Sequence, residues 1–493
     1  MPLAKLGATL SRVPGLFLTF VLERTLFLRA EVLQRAADAL LARRRAEVAP
    51  VFEPAFYLGQ IGHPVRRLRA ARAPLLHYLL IGWREQRSPT PDFDAVHARR
   101  RLATPFWRDA YSDWLRLPPP RPPRSEFEEA HPDVAAPGAD APIALVFNHA
   151  RGGGSTRFLG IYENGIIARG VWPVRLRRLT GRRAILVSPL PGGRSVVADA
   201  SESLDTVAHQ MRGREIDHIL VNHTVDHPDG LIEWIPALAR DFGAPYDVFL
   251  HDYFTVCPRI NLIDDENRFC DVAPVERCMT CVASAGSDAE GADVGGWRER
   301  HIRFLAGARR VMAPSQDARR RLEPLVGRAL DVMEPEDEAR PPPPPARPRS
   351  GPPRIVSIGA LSQAKGASVL EALAQSNAAL QSPLSLALIG PAINAARLRR
   401  AGVDVTGVYL EDDLDALIRA QAPDAFFFPA IWPETWSFTL TRALETGLPA
   451  IVFDIGAPAE RLRRLGREDW ILPLDMVGRP QATIEALAQI ARG

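Results

Sequence analysis

The sequence predicts an α/β protein: two doubly wound parallel-sheet domains facing a cleft, preceded by a small helical module. Three observations lead there. Apolar runs of strand length alternate with amphipathic stretches in two separate blocks, the signature of parallel sheets covered on both faces. Two proline clusters stand at the block boundaries: Pro118-Pro119-Pro120-Arg121-Pro122-Pro123, and Pro341 to Pro345 continuing to Pro352-Pro353. With 493 residues, 46% of them hydrophobic, the chain can bury several cores, which excludes global disorder.

The first block opens with residues 1–50, a basic apolar helical segment. Its longest uncharged apolar run is Val13 to Leu22, ten residues. A membrane-spanning helix needs about 20, which argues against a transmembrane protein. Glu23 and Arg24 stand where a signal peptide would need a small-residue cleavage site, which argues against secretion. Residues 51–117 follow as a small helical module with aromatic knobs at Phe52, Phe56, Tyr57 and Tyr78, and His77 reads as a packed histidine. Residues 1–124 carry 21 Lys/Arg against 10 Asp/Glu, whereas the rest of the chain carries 40 against 48. A basic front end on an acidic body suits an anionic surface, and a solvated arginine-rich face is the plain alternative.

Residues 118–141 and 334–353 read as proline-rich linkers. Between them, residues 142–333 predict strands at 143–147, 184–187, 216–221, 247–250 and 310–312. Helices are expected at 204–211, 231–242 and 297–306. Residues 354–493 repeat the rhythm. Strands are expected at 354–358, 384–389, 403–409, 425–428 and 450–453, and helices at 367–374, 414–420 and 438–446. In such sheets ligands bind at the carboxyl ends of the strands.

Chemistry-bearing residues gather at those strand ends. Gly152-Gly153-Gly154 follows the first strand, where glycines let a backbone approach a ligand or make a tight turn. His223 and His227 follow the third strand of that block, and His251-Asp252 the fourth. In the last block, Gly359 to Lys365-Gly366 follows the first strand; Lys5 and Lys365 are the only lysines. An ammonium at that edge suits a phosphate. Pro433-Glu434-Thr435-Trp436-Ser437 precedes the 438–446 helix, where Glu434 either accepts ligand hydroxyls or caps the helix. All four cysteines fall in one short stretch, Cys257, Cys270, Cys278 and Cys281, the last two as Cys-x-x-Cys. The spacing predicts a structural zinc, with two disulfides, free thiols or an iron–sulfur cluster as alternatives.

These motifs carry a resemblance. Gly359 through Lys365-Gly366, with Pro433-Glu434 through Gly447-Leu448-Pro449, resembles the donor-binding half of family-four-type glycosyltransferases with the two-Rossmann GT-B fold. The Gly-rich loop and His251-Asp252 resemble their acceptor half. The stretch from His223 to Pro228, then His251 to Phe254 and Cys257-Pro258-Arg259, is similar to a bacterial surface-polysaccharide and lipopolysaccharide branch. The 51–117 module looks like one that accompanies such enzymes.

The resemblance implies retaining transfer of a hexosyl residue from a nucleotide-diphosphate donor to a growing surface glycan or lipid-linked acceptor. It implies His251, Lys365 and Glu434 as catalytic residues, and donor contacts at Gly359, Gly366, Thr435, Trp436, Ser437, Arg442 and Glu445. Gly152, Gly153, Gly154, His223 and Asp252 would face the acceptor. No catalytic divalent metal is expected, because lysine and backbone N–H groups supply the positive charge. The sequence departs from the family at two places: Ala360 stands where an arginine is usual, and Arg442 where a second glutamate binds the ribose. Glu445, three residues on, is expected to pair with Arg442 or take over the ribose.

The expectation is therefore a cytoplasmic glycosyltransferase with peripheral inner-membrane contact through residues 1–50, including Arg43, Arg44 and Arg45. The alternatives are a catalytically inactive nucleotide-sugar or glycan-binding subunit and a zinc-dependent nucleic-acid binder. The acidic balance of the two large blocks argues against a nucleic-acid partner.

Overall fold

The computed structural model describes residues 42–61, 63–102, 104, 108–149, 153–178, 184–192, 195–200, 202–289, 293–336, 342, 351–381 and 383–492. Of the helical segment expected over residues 1–50, residues 1–41 lie outside them. These residues divide into two compact units. One falls within Met1–Gly152 and Leu159–Pro245, the other within Gly153–Phe158 and Tyr246–Gly493.

In the first unit, residues 42–48 are helical, and the module continues through short helices of which α1, Pro54–Gly59, is the first. Pro54, Pro64 and Pro74 each open a helix, where a missing N–H costs nothing. Tyr57, Tyr78, Trp83, Phe93 and Tyr111 form the module's core. His77 is buried there, its Nδ1 2.5 Å from the Tyr57 hydroxyl. Arg44 turns inward to Asp109 at 2.7 Å, whereas Arg43 stays exposed beside Glu47. Of the arginines expected at a membrane surface, Arg44 is therefore committed to the fold.

The 118–141 stretch is not a free spacer. It holds a short helix, α2 (Glu126–Ala130), whose N-cap Ser125 accepts from Glu128 N. Phe127 is buried with its ring 5.0 Å from that of Trp172.

The first sheet comprises β1 (Ile143–Asn148), β2 (Trp172–Arg178), β3 (Ala184–Ser188), β4 (Val196–Asp199), β5 (Ile216–Val221), β6 (Tyr246–Phe249), β7 (Arg310–Ala313) and β8 (Asp331–Val332). Their order is β4-β3-β2-β1-β5-β6-β7-β8. β1 pairs in parallel with β2 and β5, and β7 with β6 and β8. The β2–β3 and β3–β4 pairs are antiparallel, so the expected all-parallel sheet is instead a mixed one. A short β2–β3 connection leaves no room for the crossover helix that a parallel pair needs. Helices α3 (Gly154–Ile167) and α4 (Leu231–Phe242) follow β1 and β5. α4 ends at left-handed Gly243, where Ala244 N closes back on Ala239 O.

The second unit adds α5 (Val275–Ala285) and α6 (Gln316–Val326), the latter capped by Ser315 and closed by left-handed Gly327. Its own sheet comprises β9 (Arg354–Ile358), β10 (Ser385–Ile389), β11 (Asp404–Val405), β12 (Ala425–Phe428), β13 (Ala450–Phe453) and β14 (Ile471–Leu472). The order is β11-β10-β9-β12-β13-β14, parallel throughout. Alternate residues feed two cores. Ile355, Phe427, Ile451 and Phe453 pack with Leu370 and Leu373 of α7 (Ala367–Ala379). Val356, Phe426 and Val452 pack with Leu440 of α8 (Phe438–Leu444) and Leu462 of α9 (Gly456–Arg464). A last helix, α10 (Pro480–Arg492), covers the α7 face. This sheet is doubly wound, as expected. The strand expected over 403–409 shrinks to two residues, because Gly407 turns to a φ of 86°. The helix expected over 438–446 stops at Leu444.

Candidate functional site

In the second sheet the chain leaves β9 to one side for β10 and returns on the other side as β12, so β9 and β12 flank the topological switch point. Open α/β sheets bind ligands at that point, outside the carboxyl ends of the strands. Both singled-out loops emerge there: 359–366 after β9, and 429–437 after β12.

Gly366 precedes α7 with a φ of 83°, and a Cβ on it would lie 1.9 Å from Pro429 O. The lysine loop is thus pressed against the exit of β12, which only glycine permits. As a result Lys365 Nζ lies 3.0 Å from Glu434 Oε1. Glu434 is 7% exposed at its side chain and Lys365 43%, so the carboxylate is fixed while the ammonium reaches solvent. Gly456 holds Glu434 from behind: its φ is 72°, a Cβ there would meet Glu434 N at 2.7 Å, and Ala457 N donates to Glu434 O at 2.8 Å.

The neighbours of Glu434 are tied to the segment after β6. Thr435 Oγ1 donates to His251 O, and the Tyr253 hydroxyl donates to Pro433 O at 3.1 Å. The His251 ring lies 4.3 Å from that of Phe249 and 5.0 Å from that of Phe158. Asp252 makes a turn, its Oδ1 accepting from Phe254 N at 2.9 Å. Arg442 Nη1 lies 2.5 Å from Glu445 Oε2, and its other end holds Asp415. The expected Arg442–Glu445 pair is formed. Trp436 and Ser437 are buried, and Gly359 has a φ of 118°.

Two arginines absent from the sequence reading sit at this loop. Arg461 is 1% exposed, donates to Ser437 O at 2.7 Å and to Thr441 Oγ1 at 2.8 Å, and lies 4.1 Å over the Trp436 ring. A signal was present: on α9 it lies one turn from Ala457, on the buried face, where a charge is out of place. Arg157, just past Gly153 and Gly154, lies 5.0 Å over the Phe438 ring and pairs with Glu336 at 2.6 Å and Glu411 at 3.0 Å.

The other expected site residues lie elsewhere. Gly152 is outside the described residues. His223 belongs to the first unit, where its ring lies 4.6 Å from that of His149 and its Nδ1 accepts from Val225 N. His149 was missed by sequence reasoning. His227 Nε2 donates to Asn148 O at 3.0 Å, and burial holds its pKa down to about 4.

Among the described residues no group of three or more His, Cys, Asp or Glu side chains could hold a metal ion. Cys278 and Cys281 stand one turn apart on α5 rather than on a turn. Cys270 and Cys278 donate to Leu262 O and Ala273 O, each at 3.3 Å. Burial pushes the Cys257 thiol up to about 11 and raises those of Cys270 and Cys281. No helix among the described residues is long and apolar enough to cross a membrane.

Residues 343–467 match the family model "Glycosyl transferases group 1", a stretch that contains both loops and the Lys365–Glu434 pair. No curated protein matches the chain. Among solved structures the chain is similar to HepE from Anabaena in complex with UDP-glucose, at 13% identity, covering 71% of this chain and 91% of that one, with a TM-score of 0.43. It is also similar to sucrose-phosphate synthase from Thermosynechococcus elongatus, at 14% identity, 71% and 92% coverage and a TM-score of 0.45. A third is the lipopolysaccharide outer core galactosyltransferase WaaB, at 12% identity, 71% and 90% coverage and a TM-score of 0.43.

Proposed function

We propose that the chain is a retaining glycosyltransferase that moves a hexosyl residue from a nucleotide-diphosphate donor to a growing bacterial surface glycan or lipopolysaccharide. The observation that carries this reading is the Lys365–Glu434 pair at the switch point, inside the stretch that matches the group 1 family. In the reaction the bond from the anomeric carbon to the diphosphate breaks and its electron pair stays on the phosphate oxygen, while an acceptor hydroxyl oxygen bonds to the same face of that carbon and its proton passes to the departing diphosphate. The Lys365 ammonium, exposed enough to meet the diphosphate, offsets the charge gained there. Glu434 is held rigidly and accepts hydroxyl hydrogens of the donor sugar. Thr435 and Ser437 complete the donor loop, and His251 lies against the reacting sugar. Arg461, buried behind the loop, fixes Ser437 through its carbonyl, so Lys365 is the side-chain cation of this loop that reaches solvent.

A thermal-shift screen of nucleotide-sugars tests the donor, because a ligand that binds the native state raises its melting point. A transfer assay with the ligand so found tests the chemistry. One observation favours a second reading, a binding subunit without turnover: Arg442 is already held by Glu445 and Asp415, so its place does not offer the ribose a carboxylate. A donor that raises the melting point yet is neither hydrolysed nor transferred would select that reading.

Two further parts of the account are proposals of their own. Residues 1–50 hold the protein to the cytoplasmic face of a membrane through apolar side chains and arginines. Liposome flotation of the full chain and of residues 51–493 tests this, and equal flotation removes it. One zinc held by Cys257, Cys270, Cys278 and Cys281 is carried by their spacing alone, and it requires the 257–274 loop to rearrange around α5. Elemental analysis of reduced protein, produced with zinc present, decides it: one zinc per chain supports the site and none removes it.

A further inference from the structure

A cavity of about 230 Å³, with polar and apolar walls, lies in the first unit, between the face of β2 and β3 and the stretch that carries α2. It shares Pro91 and Ser195 with a second cavity, of about 400 Å³, between α1 and β4. The two form one groove between the helical module and the edge of the first sheet.

Arg175 and Arg177 of β2 line the first cavity, both less than one-tenth exposed. Each cation there is matched. Arg175 holds the buried Glu163 carboxylate with two bonds, at 2.8 and 2.5 Å. Arg177 reaches Asp94 at 2.6 Å, and Arg124 reaches Asp92 at 2.6 Å. An ionic ligand therefore meets no uncompensated charge. What the lining offers is a set of planar, charge-assisted donors and acceptors at fixed positions, which suit neighbouring hydroxyl groups. The Ser188 and Ser195 hydroxyls, 2.6 Å apart, add to it. Trp172 and Phe127 give the same space an apolar wall.

A neutral ring with hydroxyls on its edge and C–H bonds on its face meets both demands. The volume falls below the roughly 300 Å³ at which drug-sized ligand sites begin, so it suits one such ring, and the adjoining cavity gives a chain somewhere to continue. We propose that this cavity binds one pyranose residue of a neutral glycan chain, at a site separate from the Lys365–Glu434 pair. The proposal rests on the cavity's own geometry and not on the donor-site reading.

Saturation-transfer NMR on the full chain tests it, with glucose, galactose, mannose, rhamnose and N-acetylglucosamine as probes at concentrations on the order of 10 mM, suited to a millimolar site. At least one of them should bind saturably. Arg124→Gln alters the half-exposed roof, and Ser195→Leu fills the space where the cavities join. Each should weaken that binding tenfold or more, and the roof variant guards against a filled variant that fails to fold. Lys365→Ala should leave it unchanged, and UDP should not compete. Binding by none of the five sugars, binding by both cavity variants as tight as the wild type's, or competition by UDP would overturn the proposal. Sugar binding that survives in a protein that takes no nucleotide-sugar would leave the cavity standing and remove the donor site instead.

Discussion

Lys365 and Glu434 share an ion pair but differ in what the fold needs from them. Lys365 is nearly half exposed, so Lys365→Ala should shift the melting temperature by no more than a few degrees. Transfer should fall by about 10²–10³, the usual loss when one preorganised charge is removed from a developing anion. Steady-state rates beside thermal melts check both halves of that statement. His227 gives a pH dependence. Burial holds its pKa down to about 4, against 6.5 for a free imidazole, so between those values the unfolded chain binds a proton that the folded chain refuses. Stability is therefore full above pH 6.5 and falls as the pH drops towards 4, by up to about 3 kcal/mol. Melting curves at neutral and mildly acid pH should show this, and His227→Gln should flatten it. The Lys365 and Glu434 loops were legible in the sequence because a lone lysine and a Pro-Glu-Thr run follow clear strands. Arg157 was not, because its neighbours Glu336, Glu411 and Phe438 are far away along the chain.

Strand β2 shows what pattern reading misses at the level of an element. Its sequence, Trp-Pro-Val-Arg-Leu-Arg-Arg, reads as a charged surface segment, yet six of its seven residues are buried. Glu163 of α3 neutralises Arg175, and Asp94 of the module neutralises Arg177, so the strand's burial depends on partners that no local window contains. Burial alone would raise the Glu163 pKa, but Arg175 and His131 override it and hold the carboxyl below its usual range. Glu163→Ala would leave the Arg175 charge buried without its carboxylate and should cost about 3–5 kcal/mol. Denaturant melts of that variant check it, with Arg175→Met/Glu163→Leu as the control that removes both charges. The lysine loop gives a second case. Gly366→Ala places a methyl group against Pro429 O in a backbone conformation that disfavours it. It should lower stability and the affinity for the donor together, unlike Lys365→Ala, which should spare stability.

Over the whole molecule, what the sequence revealed follows the physics of its strands. β1, β12 and β13 are almost wholly apolar runs, and they were placed to within a residue because strands buried on both faces carry their own signature; β5 and β9, each with an apolar stretch broken by Asp217-His218 or Ser357, were placed as well. On the antiparallel edge β3 was placed at 184–187, but β2 and β4 were not, so the mixed character of the first sheet was not legible. The proline-rich 118–141 stretch looked like a spacer, but Phe127 packs it on Trp172 of β2 and His131 ties it to Glu163 of α3. The central claim is that the switch point of the second sheet holds a nucleotide-sugar. Calorimetric titration of a panel of nucleoside-diphosphate sugars into wild-type protein and Lys365→Ala tests it most directly. The account predicts saturable binding of at least one of them to the wild type, weakened by tenfold or more in a Lys365→Ala protein that melts within a few degrees of it. Binding by none of the panel, or equal binding by the two proteins, would contradict it.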